Sequence, residues 1–278
     1  MNKLSSLASA LCLALAAVSS ASAAQLVLVS GDVGTGLGLE DPTPKAPEGL
    51  NPGTTLGEQR TLAYLFAADL WGSVLESDAT VYVGASFQPL ACTPTSGTLG
   101  SAGTTFVFTD FAPGVVPNTW YSSALADSLA GSDLNPGFID INSRFNGDIG
   151  VNPNCLTGSD WYYGLDGNTP TGKINFLNVV MHEIGHGLGF QGFTNSAGGF
   201  FNGRQDIYST FAYDNVLAKR TMAVLGAVSA GYADGLRSYT LTQQEEVKQA
   251  LLELAILPRR PDGENSAGAT SPPREVVR

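Results

Sequence analysis

Between residues 57 and 75, apolar side chains return every three or four positions, at Leu62, Leu65, Phe66, Leu70 and Trp71. That spacing predicts an amphipathic helix with these residues turned to a core. β-branched and aromatic residues then dominate residues 80–87 and 104–108, which read as strands. Residues 124–129 read as a short helix. Residues 138–145 (FIDINSRF) alternate apolar and polar, as a half-buried strand does. Residues 146–172 are turn-rich, and Trp161, Tyr162 and Tyr163 within them are packing residues in the first instance.

Helical spacing resumes over residues 173–189, where Phe176, Val179, Val180 and Ile184 share a face. A last helix is expected over 241–256, with Thr242 and Glu245 as a capping box. A helix, then strands, then a second helix points to an α+β fold with a mixed sheet rather than a doubly wound one.

The ends read differently. Lys3, an apolar run over 7–18 and the small residues Ala21-Ser22-Ala23 form the pattern of a secretory signal peptide, residues 1–24. The run is too short for a stable membrane anchor. Residues 25–56, rich in Gly, Pro and Thr, read as an extended, exposed lead-in segment. The folded domain is expected over 57–257. Residues 258–278 lose all apolar periodicity and read as a disordered tail. The expected product is a protein secreted or held in the periplasm.

Charge narrows the partners. The chain carries a net charge of −11, which argues against nucleic acid and against anionic membranes once the signal is removed. Cys12 would leave with the signal, so Cys92 and Cys155 are expected to pair in an oxidising compartment, with two separate thiols as the alternative.

The chemistry lies in the helix at 173–189. It holds both histidines of the chain, His182 and His186, spaced to lie one turn apart on one helix face. Two neutral imidazoles so placed can bind one Zn²⁺ at about 2.0–2.1 Å. Glu183, beside the first ligand, can act as general base toward a water that zinc has brought to a pKa of about 7. Gly185, Gly187 and Gly189 each cost helix stability, so close backbone approach or a sharp exit is expected there. The plain alternative is two surface histidines on a helix.

A catalytic zinc needs a third protein ligand, and no histidine remains for it. Asp206 is the first candidate and Asp214 the second; a helix cap or turn is the other reading of either. Tyr208 could donate a hydrogen bond to a developing oxyanion, or simply pack. The strand at 138–145 could be the edge along which an extended peptide pairs. Asp140, Asn142, Asn146 and Asp148 could instead gather Ca²⁺, though their spacing matches no EF-hand loop and a turn is the simpler reading.

The segment VVMHEIGHGLGF, residues 179–190, resembles the active-site helix of the zincin zinc metallopeptidases. It looks like that of a group of secreted bacterial proteins with HELGHGLGF-type helices, many of which carry a protease-associated domain. The likeness extends through GEQRTLAYLFAADLW, GSAGTTFVF, WYSSALADSLAGSDLNPGFIDINSRFN, WYYGLDGN and DIYSTFAYDN, roughly residues 55–217.

The resemblance implies a zincin-like domain in which a backing helix supports the sheet and a cleft separates the motif helix from an edge strand. It implies Zn²⁺ on His182 and His186, with Glu183 as base. Gly192 stands where the metzincin branch has its third histidine, so a later carboxylate such as Asp206 suits the pattern better. The expected activity is hydrolysis of a peptide or protein substrate. The alternatives are a zincin-like protein that holds metal without turnover, or a truncated inactive fragment.

Overall fold

The computed structural model describes residues 23–195, 198–211 and 275–277. The expected helix at 241–256, the second ligand candidate Asp214 and most of the expected signal peptide lie outside the described residues. The architecture is α+β. A four-stranded mixed sheet has the order β1 (Leu26–Ser30), β2 (Val81–Gln88), β6 (Ile141–Asn146), β3 (Gly100–Thr104). The first three strands are parallel, and β3 closes the edge antiparallel to β6.

Two helices lie side by side against this sheet, α1 (Leu56–Val74) and α3 (Phe176–Gly187). The Trp71 indole N–H donates to Met181 O at 3.0 Å, joining one helix to the other. α1 starts at a capping box, in which the Thr55 side chain and Glu58 satisfy each other's backbone N–H.

Of the residues of α1 expected to face the core, Trp71 is buried, but the main buried stripe lies to one side of the rest. Leu65, Phe66 and Leu70 are 40%, 37% and 39% exposed, whereas Ala63, Tyr64, Ala67 and Trp71 are buried against the sheet. Both stripes recur at helical spacing, so periodicity alone cannot choose between them. Alanine lets the helix axis approach the strands, and Tyr64 and Trp71 supply the bulk. Arg60 is buried as well, its guanidinium stacked over Phe87 at 4.3 Å and its Nε donating to Tyr163 Oη.

Residues 25–56 are part of the domain, not an exposed lead-in. They supply β1 at one sheet edge, and Leu39 and Asn51 are buried. The Asn51 amide donates to Gln59 O and Tyr163 O. The expected strand at 104–108 is two strands, β3 and β4 (Val107–Thr109), broken where the chain leaves the main sheet. β4 pairs with β5 (Tyr121–Ser122) and with β9 (Glu275–Val277), so part of the stretch expected to be a disordered tail is a paired strand. α2 (Ser123–Ala130) follows β5 directly and ends at Gly131 in the left-handed region.

A two-stranded parallel pair, β7 (Asp160–Tyr162) and β8 (Lys173–Asn175), leads into α3. Phe176, the first residue of α3, sits among Phe87, Phe145, Trp161 and Tyr163, with ring centroids 5.0–5.4 Å away. This aromatic cluster and the Asn175 cap on Asn178 N fix where the motif helix begins. The short helix α4 (Ile207–Phe211) is the last element before residue 212.

Cys92 and Cys155 form a disulfide across 63 residues. It ties the loop before β3 to the loop after β6. Among the described residues no helix is long and apolar enough to cross a membrane.

Candidate functional site

Helix α3 packs on both β6 and the outer strand β3, and its last turn is pressed on β6. A β-carbon on Gly187 would lie 2.7 Å from Ile141 Cδ1, so only glycine allows this approach. Gly189 then leaves the helix at φ +129, a conformation that side chains disfavour. The glycine pattern thus records close packing at Gly187 and a sharp exit at Gly189.

His182 and His186 face each other from successive turns. Their Nε2 atoms are 2.9 Å apart and their rings are nearly perpendicular. The His186 Nδ1 lies 2.8 Å from Phe190 O. A carbonyl oxygen only accepts, so Nδ1 carries the proton and the neutral ring presents an acceptor at Nε2. Two ring nitrogens this close need an electrophile between them, either a proton or a metal ion. Burial lowers both histidines from their ordinary pKa, His182 to about 4. Both rings are therefore neutral at pH 7, the form a metal requires. Two neutral imidazoles so oriented could supply two of the ligands of a divalent transition metal.

The Glu183 side chain lies against strand β3. It is 3% exposed, and burial pushes its carboxyl up to about 8 despite a hydrogen bond from Ala102 N. A β-carbon on Gly100 would lie 3.0 Å from Glu183 Cγ. Strand β3 has small residues because this carboxyl lies against it. Sequence reasoning missed Gly100 and Ala102, since GSAGT has weak strand propensity. The available signal was the glycine pair, which inside a strand marks a close approach.

The pairing of β3 shows which groups face outward. Asn146 N donates to Leu99 O, and Thr105 N donates to Asp140 O. Residues 99 and 105 therefore bond β6, and by alternation Gly100, Ala102 and Thr104 turn their backbone groups to the open side. The expected substrate edge at 138–145 is not an edge, because β6 is interior between β2 and β3.

Asp206 is not brought to the histidines. It is 1% exposed and precedes α4, with Oδ1 accepting from Ser209 N and Oδ2 accepting from Phe193 N and the Ser209 hydroxyl. This is a helix cap with both oxygens engaged. Among the described residues no group of three or more His, Cys, Asp or Glu side chains is arranged to hold a metal.

Tyr208 packs edge-on to Phe190, with ring centroids 4.9 Å apart, and burial raises its phenol from the usual value. Phe190 in turn packs against His186, with ring centroids 6.4 Å apart. The four residues considered for Ca²⁺ do not gather. Asp140 precedes β6 and is bonded by Ser123 and Tyr82 N, while Asp148 follows it and accepts from Asn152. The strand between them spans about 20 Å.

Comparison with protein-family models, with curated proteins and with solved structures finds no match.

Proposed function

We propose that this protein is an exported zinc-dependent endopeptidase with a zincin-like domain. The observation that carries the reading is the convergence of two neutral imidazoles, Nε2 to Nε2 at 2.9 Å, beside a buried carboxyl at an open strand edge. His182 and His186 would hold the ion, together with a third ligand for which Asp214 remains the candidate. Bound there, zinc supplies Lewis acidity to a water and to the scissile carbonyl.

The other steps belong to the chain. Gly100 and Thr104, together with the Ala102 carbonyl, offer outward backbone groups to which an extended peptide can add as a further strand. Glu183, bonded to Ala102 N, is held at that edge and can take a proton from the attacking water, then pass it to the leaving amine. A neighbouring cation lowers its pKa again, which favours the base form. Phe190 O, by accepting from His186 Nδ1, orients the second imidazole. Tyr208 remains the candidate donor toward a developing oxyanion. The disulfide suits an oxidising compartment, which supports export.

The reading is tested by metal titration of the purified, chelator-stripped protein. One equivalent of zinc should bind and confer cleavage of a denatured protein substrate. His182→Ala and His186→Ala should each lose binding by at least about 10²-fold. Unchanged zinc affinity in both variants would overturn the assignment. The engagement of Asp206 as a cap favours a second reading, a zincin-like protein that holds metal without turnover. Zinc binding with no cleavage of any denatured substrate would decide for it.

A further inference from the structure

The wall of the candidate site continues beyond the histidines. Five residues after His186 the chain reaches Gln191, whose Oε1 is 3.1 Å from where a β-carbon on Gly103 would sit. Gly103 precedes Thr104, the last residue of β3. From there, residues 104–107 on one side and the segment that follows α3 on the other enclose an open cavity of about 570 Å³. That volume lies well within the range of small-ligand pockets and admits the largest side chains.

The cavity is continuous with the strand edge. Thr104 lines it and lies two residues beyond Ala102, whose N–H meets Glu183. Two strand residues span about 6.6 Å, one side-chain repeat along an extended peptide. The apolar lining is Phe106, Val107, Phe193, Phe200 and Phe201. Among the described residues that line it there is no acidic, basic or histidine side chain, so a charged occupant would lose its hydration without gaining a counter-ion from them.

We propose that this cavity is a specificity pocket for the peptide, taking one bulky, uncharged, apolar side chain of the phenylalanine or leucine type. Antiparallel addition is the more stable pairing per residue. Because β3 runs from Gly100 to Thr104, it sets the N-terminal half of the peptide toward the pocket. The recognised side chain therefore lies within two residues on the N-terminal side of the cleaved bond. The inference rests on the peptidase reading for its orientation, but the pocket itself can be tested without metal.

The probe is the peptide acetyl-Ala-Phe-Ala-Ala-amide and its counterparts with Ala, Glu or Lys in place of Phe, titrated into metal-free full-length protein by NMR. The Phe peptide should bind roughly tenfold tighter than the Ala peptide, and the Glu and Lys peptides should bind no better than Ala. Thr194→Trp, which fills the cavity, should abolish the difference. Phe200→Lys, at a side chain 37% exposed and so tolerant of change, should turn the preference toward Glu.

Equal affinity for all four peptides, or a Phe preference that both variants leave intact, overturns the pocket. Cleavage mapping with zinc-loaded protein separates the two readings. Selective binding without cleavage keeps the pocket and removes the peptidase. Cleavage with no apolar preference on the N-terminal side does the reverse.

Discussion

Gly187 and Ile141 are in direct contact, and this contact sets the height of the motif helix above the sheet. A methyl on residue 187 would have to displace the Ile141 side chain or lift the last turn of α3. Ile141 is fully buried in the strand beside β3 and has little room to yield. Gly187→Ala should therefore destabilise the fold by about 1–3 kcal/mol, despite the better helix propensity of alanine. Urea denaturation of the two proteins checks this. A more stable variant would show that the contact relaxes freely.

Glu183 is the group whose removal separates binding from chemistry. Glu183→Gln retains the shape and can still meet Ala102, but it cannot accept a proton. The variant should bind zinc as wild type does and lose about 10²–10⁴-fold in cleavage. Metal content by mass spectrometry and turnover of a fluorogenic peptide are the two readings. Undiminished turnover would refute the base assignment.

The disulfide anchors the approach to the open strand. Around Cys92, Thr98 N bonds Ala91 O and Leu156 N bonds Thr93 O, so the loop feeding β3 is laced to the loop that holds Cys155. Replacing both cysteines by serine should cost about 4 kcal/mol in the chain-entropy account. Hydrogen exchange should rise first in residues 91–104. Uniform exchange along the chain would place the bridge's effect elsewhere.

The sequence alone made the motif helix legible, because His182, Glu183 and His186 carry their geometry in their spacing. The three glycines also pointed to a tight helix exit. The strand at 80–87 and the limits of α1 were also legible, but the buried face of α1 was not. Leu65 and Phe66 outweigh Ala63 and Ala67 in any hydrophobic count, yet close approach to the sheet favours the smaller residues. β3 was hidden for the same reason, since its Gly100 and Ala102 are small to make room for Glu183. Asp206 illustrates the remaining difficulty. A carboxylate twenty residues past a metal motif reads as a ligand, whereas its local partner Ser209 makes it a cap.

A pair of buried acids away from the histidines adds a pH dependence of its own. Asp127 on α2 and Asp140 before β6 are both buried, 0% and 1% exposed, and their carboxyls meet. Each Asp140 oxygen accepts one hydrogen bond, from the Ser123 hydroxyl and from Tyr82 N, which leaves capacity for a further donor. Asp127 accepts from Leu134 N through Oδ1, while Oδ2 has no donor to accept from. A proton on Asp127 Oδ2, donated to Asp140, satisfies both groups.

Burial above all, then the neighbouring Asp140 and Asp133 charges, pushes Asp127 up to about 8, and burial raises Asp140 too. A raised folded-state pKa contributes stability that is complete below the unfolded value near 4 and is lost as pH rises through the folded one. Above pH 7, where the lowered histidines no longer contribute the opposite slope, the melting temperature should thus fall by on the order of 3 °C to pH 9. Glu183, also raised by burial, adds to the same slope. Asp127→Asn mimics the protonated acid, because its amide can donate to Asp140 at every pH. It should flatten the Asp127 share of the decline and melt above wild type at pH 9, with Glu183→Gln removing the remainder. An Asp127→Asn variant whose melting temperature falls as steeply as that of wild type between pH 7 and pH 9 would show that the two acids do not share a proton.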